Sequence, residues 1–252
     1  MSISIKSEKE IELMRESGRI LANVLEELQH MVRPGISTLD IDKKCAEIIK
    51  SYDCTPSFLN YNGYPASVCI SVNSEVVHGI PNKNRILQDG DIVSLDCGVI
   101  YQGFHSDAAR TVAVGEITKE AKQLIEVTEQ SFYEGIKFAK EGHHLHEISE
   151  AIQTYVEAHG YSIVRDLVGH GIGRNLHEEP QIPNFRQKRR GPKLEAGLTL
   201  AIEPMVNAGR YDVYWLEDDW TVVSSDGSLS AHYENTILIT DGEPELFTLY
   251  KS

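Results

Sequence analysis

Residues 87–96 read LQDGDIVSLD and residues 194–203 read LEAGLTLAIE. In each phrase a leucine, Leu87 or Leu194, is followed by a glycine and then by a closing acid, Asp96 or Glu203. A His-Gly-Ile stands upstream of each, at His78 and at His170. Internal repetition decides the fold before any local reading does. Here it predicts one catalytic domain over residues 1–252, built of two related halves, about 1–115 and 116–252. Each half brings a carboxylate and a histidine to a shared cleft. Hydrolysis by two metal ions needs a pseudo-symmetric set of this kind.

Working outward, Ser7 and Glu10 form a capping box. Ile11, Met14, Leu21, Leu25, Leu28 and Val32 then recur at helical spacing, which predicts a helix over 8–32. Pro34-Gly35 stops it, and Thr38 opens a second helix to about Ser51. Stretches 67–72 and 91–98, rich in Val and Ile, read as strands. The second half repeats this order: a helix from Thr118 to about Lys140, ended by Gly142, then one from Leu145 to Ala158, closed at Gly160. Strands follow near 162–168, 198–205 and 232–240. Helix, helix, then strands, twice over, predicts an α+β fold with a central antiparallel sheet and helices on one face. Alternation sets the faces. Val93, Leu95 and Cys97 point to the helices while Asp96 points away. Leu198, Leu200 and Ile202 do likewise, with Glu203 opposite.

Bulk properties exclude several classes. The chain has 252 residues, 41% hydrophobic and 25% charged, ordinary for a globular enzyme. No apolar run approaches the length of a membrane span, and the start MSISIKSEKEIELMRE has no secretory pattern. Cys45, Cys54, Cys69 and Cys97 form no CxxC pair, which favours a reduced, cytoplasmic protein with no membrane partner. A net charge of −14 opposes general affinity for nucleic acid. Residues 186–193, RQKRRGPK, run against it with Arg186, Lys188, Arg189, Arg190 and Lys193. A solvated loop is the commoner reading of such a run; the sharper one is a contact for an anionic partner.

Asp96, Asp107, His170, Glu203 and Glu234 stand out together. Asp107 follows Asp96 by the span of one tight hairpin, so paired strands can hold both acids on one face. Any one strand acid is more often an ion-paired or surface residue. Five such groups tied to a repeat are harder to dismiss. Four carboxylates and an imidazole form a hard ligand set suited to Mn, Fe or Co rather than a structural zinc. Crowded without a cation, the acids cannot all stay ionised.

The motifs VVHGIP, SLDCG, HSDAART, GHGIGRNLHEEP, AIEPMV and SAHYENT resemble, in order, those of type I methionine aminopeptidases in their short bacterial form. The resemblance spans nearly the whole chain and implies the pseudo-two-fold "pita-bread" (creatinase/aminopeptidase) fold. It implies removal of N-terminal methionine from nascent polypeptides when the second residue is Gly, Ala, Ser, Thr, Cys, Pro or Val; the chain's own Met1-Ser2 meets that rule. It implies two divalent ions (Fe, Mn, Co or Zn). Asp96 would hold one, His170 and Glu203 the other, and Asp107 and Glu234 would bridge them. Glu203 would also shuttle a proton, and His78 and His177 would bind substrate and intermediate. The methionine pocket would use Tyr61, Tyr64, Cys69, Trp220 and Phe58. Phe58 and Leu176 depart from residues common among relatives and bear on pocket shape. Asn73 and Ser230 match positions that hold a structural monovalent cation in some relatives. A nascent-chain enzyme of this charge would use 186–193 to dock on the ribosome, and otherwise act as a monomer. Two alternatives stand beside this reading. One is a prolidase-type Xaa-Pro aminopeptidase, whose members typically carry a large additional N-terminal domain. The other is a non-catalytic peptide- or ribosome-binding protein of the same fold.

Overall fold

Ser7 opens the first helix as its pattern predicts. Its amide and its hydroxyl both donate to the Glu10 carboxylate, at 2.9 and 2.8 Å. The computed structural model describes residues 3–250, so Met1 and Ser2 lie outside the described residues. α1 (Glu8–Met31) buries Leu21, Leu25 and Leu28 completely or nearly so. Each such side chain stabilises the fold by about 1.5–3 kcal/mol relative to exposure. Ser37 caps α2 (Thr38–Ser51) by accepting from the Asp40 amide. Then come β1 (Thr55–Pro56), a 3₁₀ turn (Tyr61–Gly63), β2 (Val68–Val72), β3 (Glu75–Val77), β4 (Ile92–Tyr101) and β5 (Phe104–Ala113).

The second set of helices is α3 (Lys119–Ile136), capped by Thr118, and α4 (Leu145–Ala158). α3 ends four residues short of the expected Lys140. The amides of Glu141 and Gly142 go instead to the carbonyls of Thr240 and Leu194, outside the helix. Short strands follow: β6 (Ser162–Ile163), β7 (Gly169–Gly171), β8 (Glu178–Ile182), β9 (Thr199–Ile202), β10 (Met205–Asn207), β11 (Val213–Trp215), β12 (Val222–Ser224), β13 (Ser230–His232), β14 (Glu234–Leu238) and β15 (Glu245–Leu246). The strand expected over 162–168 reduces to β6. The one expected over 198–205 splits into β9 and β10, since Pro204 between them has no N–H for a ladder.

Among the described residues the main sheet runs β1-β4-β5-β14-β9-β7-β8, with β2 also on β4 and β15 on β14. Two three-stranded sheets, β13-β10-β6 and β11-β12-β3, complete it. Every pairing in the main sheet is antiparallel. The alternation reading holds. Val93, Leu95 and Cys97 pack with Leu21, Leu25, Ile41 and Ile49 of α1 and α2. Leu198, Leu200 and Ile202 pack with Phe132, Ile148 and Ile152 of α3 and α4. The opposite face of the sheet is therefore left for the acids. Both repeated glycines do the same job. Gly90 (φ +94°) and Gly197 (φ +91°) turn the chain into β4 and β9 with a backbone that side chains resist. Their amides donate to Val114 and Ile239, just beyond β5 and β14.

Candidate metal and peptide site

β4 and β5 form a hairpin with Asp96 opposite Ala109 and Gly98 opposite Asp107. That register puts both acids on one face, one pleat apart. Asp107 is further held by Thr236 of β14. The Thr236 hydroxyl donates to the Asp107 carbonyl (2.8 Å) and accepts from the Asp107 amide (2.9 Å). This tie brings Glu234, opposite Ala109, to the same place. β7 then presents His170 opposite Ala201 of β9, two residues before Glu203.

His170 Nε2 lies 3.8 Å from Asp107 Oδ2 and 3.7 Å from Glu203 Oε1. Its Nδ1 donates to the Gly171 carbonyl at 2.9 Å, which leaves Nε2 with a free lone pair. Burial, with His177 nearby, lowers its pKa to about 3, so the ring is neutral as a ligand must be. Asp96, Asp107, Glu203 and Glu234 are all raised above the usual carboxylate range. Burial is the main cause, and for the last three the charge of neighbouring acids adds to it. Asp96 Oδ1, Asp107 Oδ1 and Glu234 Oε1 are buried with no hydrogen-bond partner among the described residues. Atoms of Asp107, His170 and Glu234 fall within 4.8 Å of one another, as do atoms of Glu203, His232 and Glu234. Orphaned acid oxygens around a neutral imidazole fit divalent cations.

A cavity of about 260 Å³ opens above these groups, walled by Phe58, Tyr61, Tyr64, Cys69, Leu176 and Trp220. Drug-sized ligands occupy roughly 300–1,000 Å³, so this pocket suits one side chain and the reacting groups. Cys69 stands opposite Asp96 across β2 and β4, which aims its sulfur at the pocket. Tyr64 meets Trp220 edge-on at 5.1 Å, and its hydroxyl donates to the Gly79 carbonyl at 2.9 Å. A Cβ at Gly79 would stand 2.2 Å from the Ile70 carbonyl oxygen, so only glycine lets the chain pass there.

His78 is held at φ +60°, a conformation that costs a non-glycine residue roughly 1–3 kcal/mol. The strain turns its ring into the pocket edge-on to Trp220, and burial lowers its pKa to about 4. His177, expected on resemblance alone, lies at the rim. Its ring is 4.2 Å from that of His170, and its Nδ1 shares a 2.8 Å hydrogen bond with the Tyr61 hydroxyl. All the sequence-predicted pocket and ligand residues converge here.

Asn73 and Ser230 meet away from the pocket, the Ser230 amide donating to the Asn73 carbonyl at 2.8 Å. Sequence reading missed three residues. Asn62 lines the pocket. Arg110 donates to the Glu234 carbonyl (2.6 Å) and to Asn235 Oδ1 (2.7 Å), pinning the start of β14. His232 faces Glu203 and Glu234; its place two residues before Glu234, in SAHYENT, was the available signal. In the basic stretch, Arg186 is not a free cation, because Glu150 of α4 pairs with it at 2.8 Å.

Residues 12–241 match metallopeptidase family M24. The chain belongs to that family. A methionine aminopeptidase of Clostridium perfringens is 56% identical over 249 residues, 99% of this chain and 100% of that protein. The crystal structure of methionine aminopeptidase from Thermotoga maritima superposes with a TM-score of 0.96 at 45% identity, covering 98% of this chain and 100% of that one. Xaa-Pro dipeptidase from Bacillus anthracis matches with a TM-score of 0.79 at 24% identity, and covers 98% of this chain but 62% of that one. The last likeness is one of fold alone. This M24 enzyme is thus a methionine aminopeptidase, a divalent-metal hydrolase acting on peptides, and the prolidase alternative is the less supported. Among the described residues no helix is long and apolar enough to cross a membrane.

Proposed function

We propose that this site releases methionine from nascent chains and peptides whose second residue is small, with Asp96, Asp107, His170, Glu203 and Glu234 holding two divalent ions. The convergence of both hairpin acids on His170, Glu203 and Glu234 at the floor of one pocket carries the reading. Asp96 would hold one ion and His170 and Glu203 the other, with Asp107 and Glu234 contributing to both. When bound, such ions supply Lewis acidity and lower the pKa of water toward ~7. The protein's own groups do the rest. The aromatic walls and Cys69 take the thioether side chain. His78 and His177 donate hydrogen bonds to the substrate carbonyl as negative charge develops on it. Glu203 accepts the proton of the attacking water and passes it to the departing amine. Steric exclusion beyond the pocket sets the small-residue rule.

The test is anaerobic titration of metal-stripped protein with Mn, Fe, Co and Zn, following methionine release from Met-Ala and Met-Arg peptides. Metal-dependent cleavage of Met-Ala alone is the expected result. Release without metal, or equal cleavage of Met-Arg, overturns the reading.

The same reading makes the chain one catalytic domain of two related halves, about 1–115 and 116–252, acting in the cytoplasm as a monomer. The matched pairs β4–β5 and β9–β14 and their entry glycines support the division. Asn73 and Ser230 would hold a monovalent cation. Lys188, Arg189, Arg190 and Lys193, all exposed, would hold the enzyme to the ribosome, with Arg186 partly neutralised by Glu150. Charge reversal at Lys188, Arg189 and Arg190 should abolish salt-sensitive cosedimentation with ribosomes and leave cleavage of a short peptide unchanged. A reversed variant that still pellets with ribosomes removes the loop from the contact.

A further inference from the structure

His232 has no part in the reaction just described, yet its ring is aimed into the site. The side chain is 1% exposed. Neither ring nitrogen has a hydrogen-bond partner among the described residues. Its backbone, by contrast, is tied down twice. The amide donates to Thr111 Oγ1 and the carbonyl accepts from the same hydroxyl, each at 2.8 Å. The position of the ring is therefore set by the strand and not by the ring's own contacts. Buried polar groups are almost always paired, and an exception calls for a reason at that place.

The reason lies in the neighbours. His232 Nε2 is 3.7 Å from Glu203 Oε2 and 3.9 Å from Glu234 Oε2. On the other side of the same glutamate, His170 Nε2 is 3.7 Å from Glu203 Oε1. Two imidazoles thus flank Glu203, one per oxygen. We propose that His232 is a positioning residue whose Nε2–H donates to Glu203 Oε2 and so turns Oε1 toward His170 and Asp107. A side-chain movement of roughly 0.8 Å brings the pair to the ~2.9 Å usual for N–H···O. The second oxygen of a ligating carboxylate commonly needs such a partner, which fixes its orientation and is felt in metal affinity. This inference rests on the reading that Glu203 is a metal ligand.

A different assignment uses the same atoms: Glu203, His232 and Glu234 together could ligate an ion. The Nδ1 atoms favour the donor role: the Gly171 carbonyl holds that of His170 and leaves its Nε2 a lone pair, whereas His232 Nδ1 has no partner among the described residues, so Nε2 is free to carry the proton. The experiment separates the two, because glutamine donates a hydrogen bond but is a poor metal ligand.

His232→Leu and His232→Gln are purified, stripped and titrated with Co(II) by calorimetry, with kcat and KM read on a Met-Ala peptide. His232→Leu should weaken one ion by ~10–100-fold and lower kcat with KM changed less than about twofold. His232→Gln should recover most of both. Wild-type metal affinity and kcat in the leucine variant overturn the proposal. So does a glutamine variant as impaired as leucine with one ion lost, which makes His232 a ligand. Should His232→Leu fail to fold, as judged by the melting of the metal-free protein, His232→Gln is compared with wild type in a Glu203→Ala background. There the two must bind the remaining ion alike, and a difference between them overturns the proposal. Wild-type protein that binds no divalent ion defeats the underlying metal reading instead, so the two failures are distinguishable.

Discussion

The β4–β5 hairpin and the β9–β14 pair carry the same device by different means. β4 and β5 run ten residues each around a two-residue turn, and Asp96 and Asp107 lie close in sequence. β9 and β14 have four and five residues, and β10, β11, β12 and β13 intervene between Glu203 and Glu234. The first pair of acids is placed by a local ladder with continuous register. The second is placed by the short β9–β14 ladder together with cross-links from elsewhere: Asn184 to the Glu203 carbonyl, Thr236 to Asp107, and Arg110 to the Glu234 carbonyl and Asn235. Local pairing sets geometry with little loop-closure entropy, whereas distant pairing must be stabilised by side chains. The lesson is that equal chemical roles need not have equal structural support.

The largest expected effect tests whether the two regions make one site. Asp107→Asn and Glu234→Gln each remove a carboxylate that faces both sides of the cluster. Both should abolish peptide cleavage and bring metal content, measured by atomic emission on dialysed protein, below two ions per chain. An Asp107→Asn protein that keeps two tightly bound ions breaks the bridging assignment and leaves the hairpin as a mere scaffold.

His78 and His177 give the next test; both lie outside the two compared pairs, His78 just after β3 and His177 just before β8. His78→Ala and His177→Ala should each lower kcat by ~10²–10³-fold, about 2.7–4 kcal/mol, as loss of an oxyanion donor does. Both should keep two metal ions. Loss of metal in either variant would show that the histidine supports the ligands and does not act on substrate.

A smaller effect compares the tolerance of the two architectures directly. A Cβ at Gly171, on β7, would stand 2.3 Å from the Glu179 carbonyl oxygen, backbone that cannot yield. A Cβ at Gly98, on β4, meets the Ser57 Cβ at 2.7 Å, its Oγ at 2.9 Å and the Ser106 carbonyl oxygen at 3.0 Å, a milder overlap. Denaturant melts should show Gly171→Ala destabilised by about 3 kcal/mol and Gly98→Ala by about 2 kcal/mol. The reverse order would mean that the hairpin is the less forgiving region.

The subtlest effect is electrostatic. All four acids have raised pKa values in the metal-free protein. The native state then binds more protons than the unfolded chain from about pH 4 upward, since unfolded carboxylates titrate near ~4. Metal-free stability must therefore fall as pH rises through that window. Cations replace the protons, so the rise in Tm on adding metal should be larger at pH 7.5 than at pH 5. Asp96→Asn and Glu203→Gln should flatten that dependence alike if both regions share one field. A flat profile in the unaltered protein would show that the acids are not desolvated together.

How much was legible follows the same division. The hairpin could be read from the spacing of Asp96 and Asp107, and the helix-facing rows from alternation, because strand period and turn length are local rules. The place of His177 could not, since it sits on a loop whose approach to Tyr61 and His170 has no periodic trace. His232 escaped for a related reason. Its sequence neighbours say nothing of Glu203, which reaches it only once β10 pairs with β13, setting Met205 opposite His232. The early end of α3 was hidden too, because Thr240 and Leu194, far along the chain, take the amides of Glu141 and Gly142 in the segment beyond it.

By itself the sequence determined the repeat, the two helix pairs, the faces of β4 and β9 and the residue types of the cluster. These depend on periodicity, turn chemistry and caps, which act within a few residues. Only the tertiary structure decided which carboxylate oxygens are orphaned, that His170 presents Nε2, that His78 is strained into the pocket and that His232 flanks Glu203. Those facts depend on burial and on contacts between segments distant in sequence, where desolvation and ångström-scale distances set the chemistry and no local pattern records them.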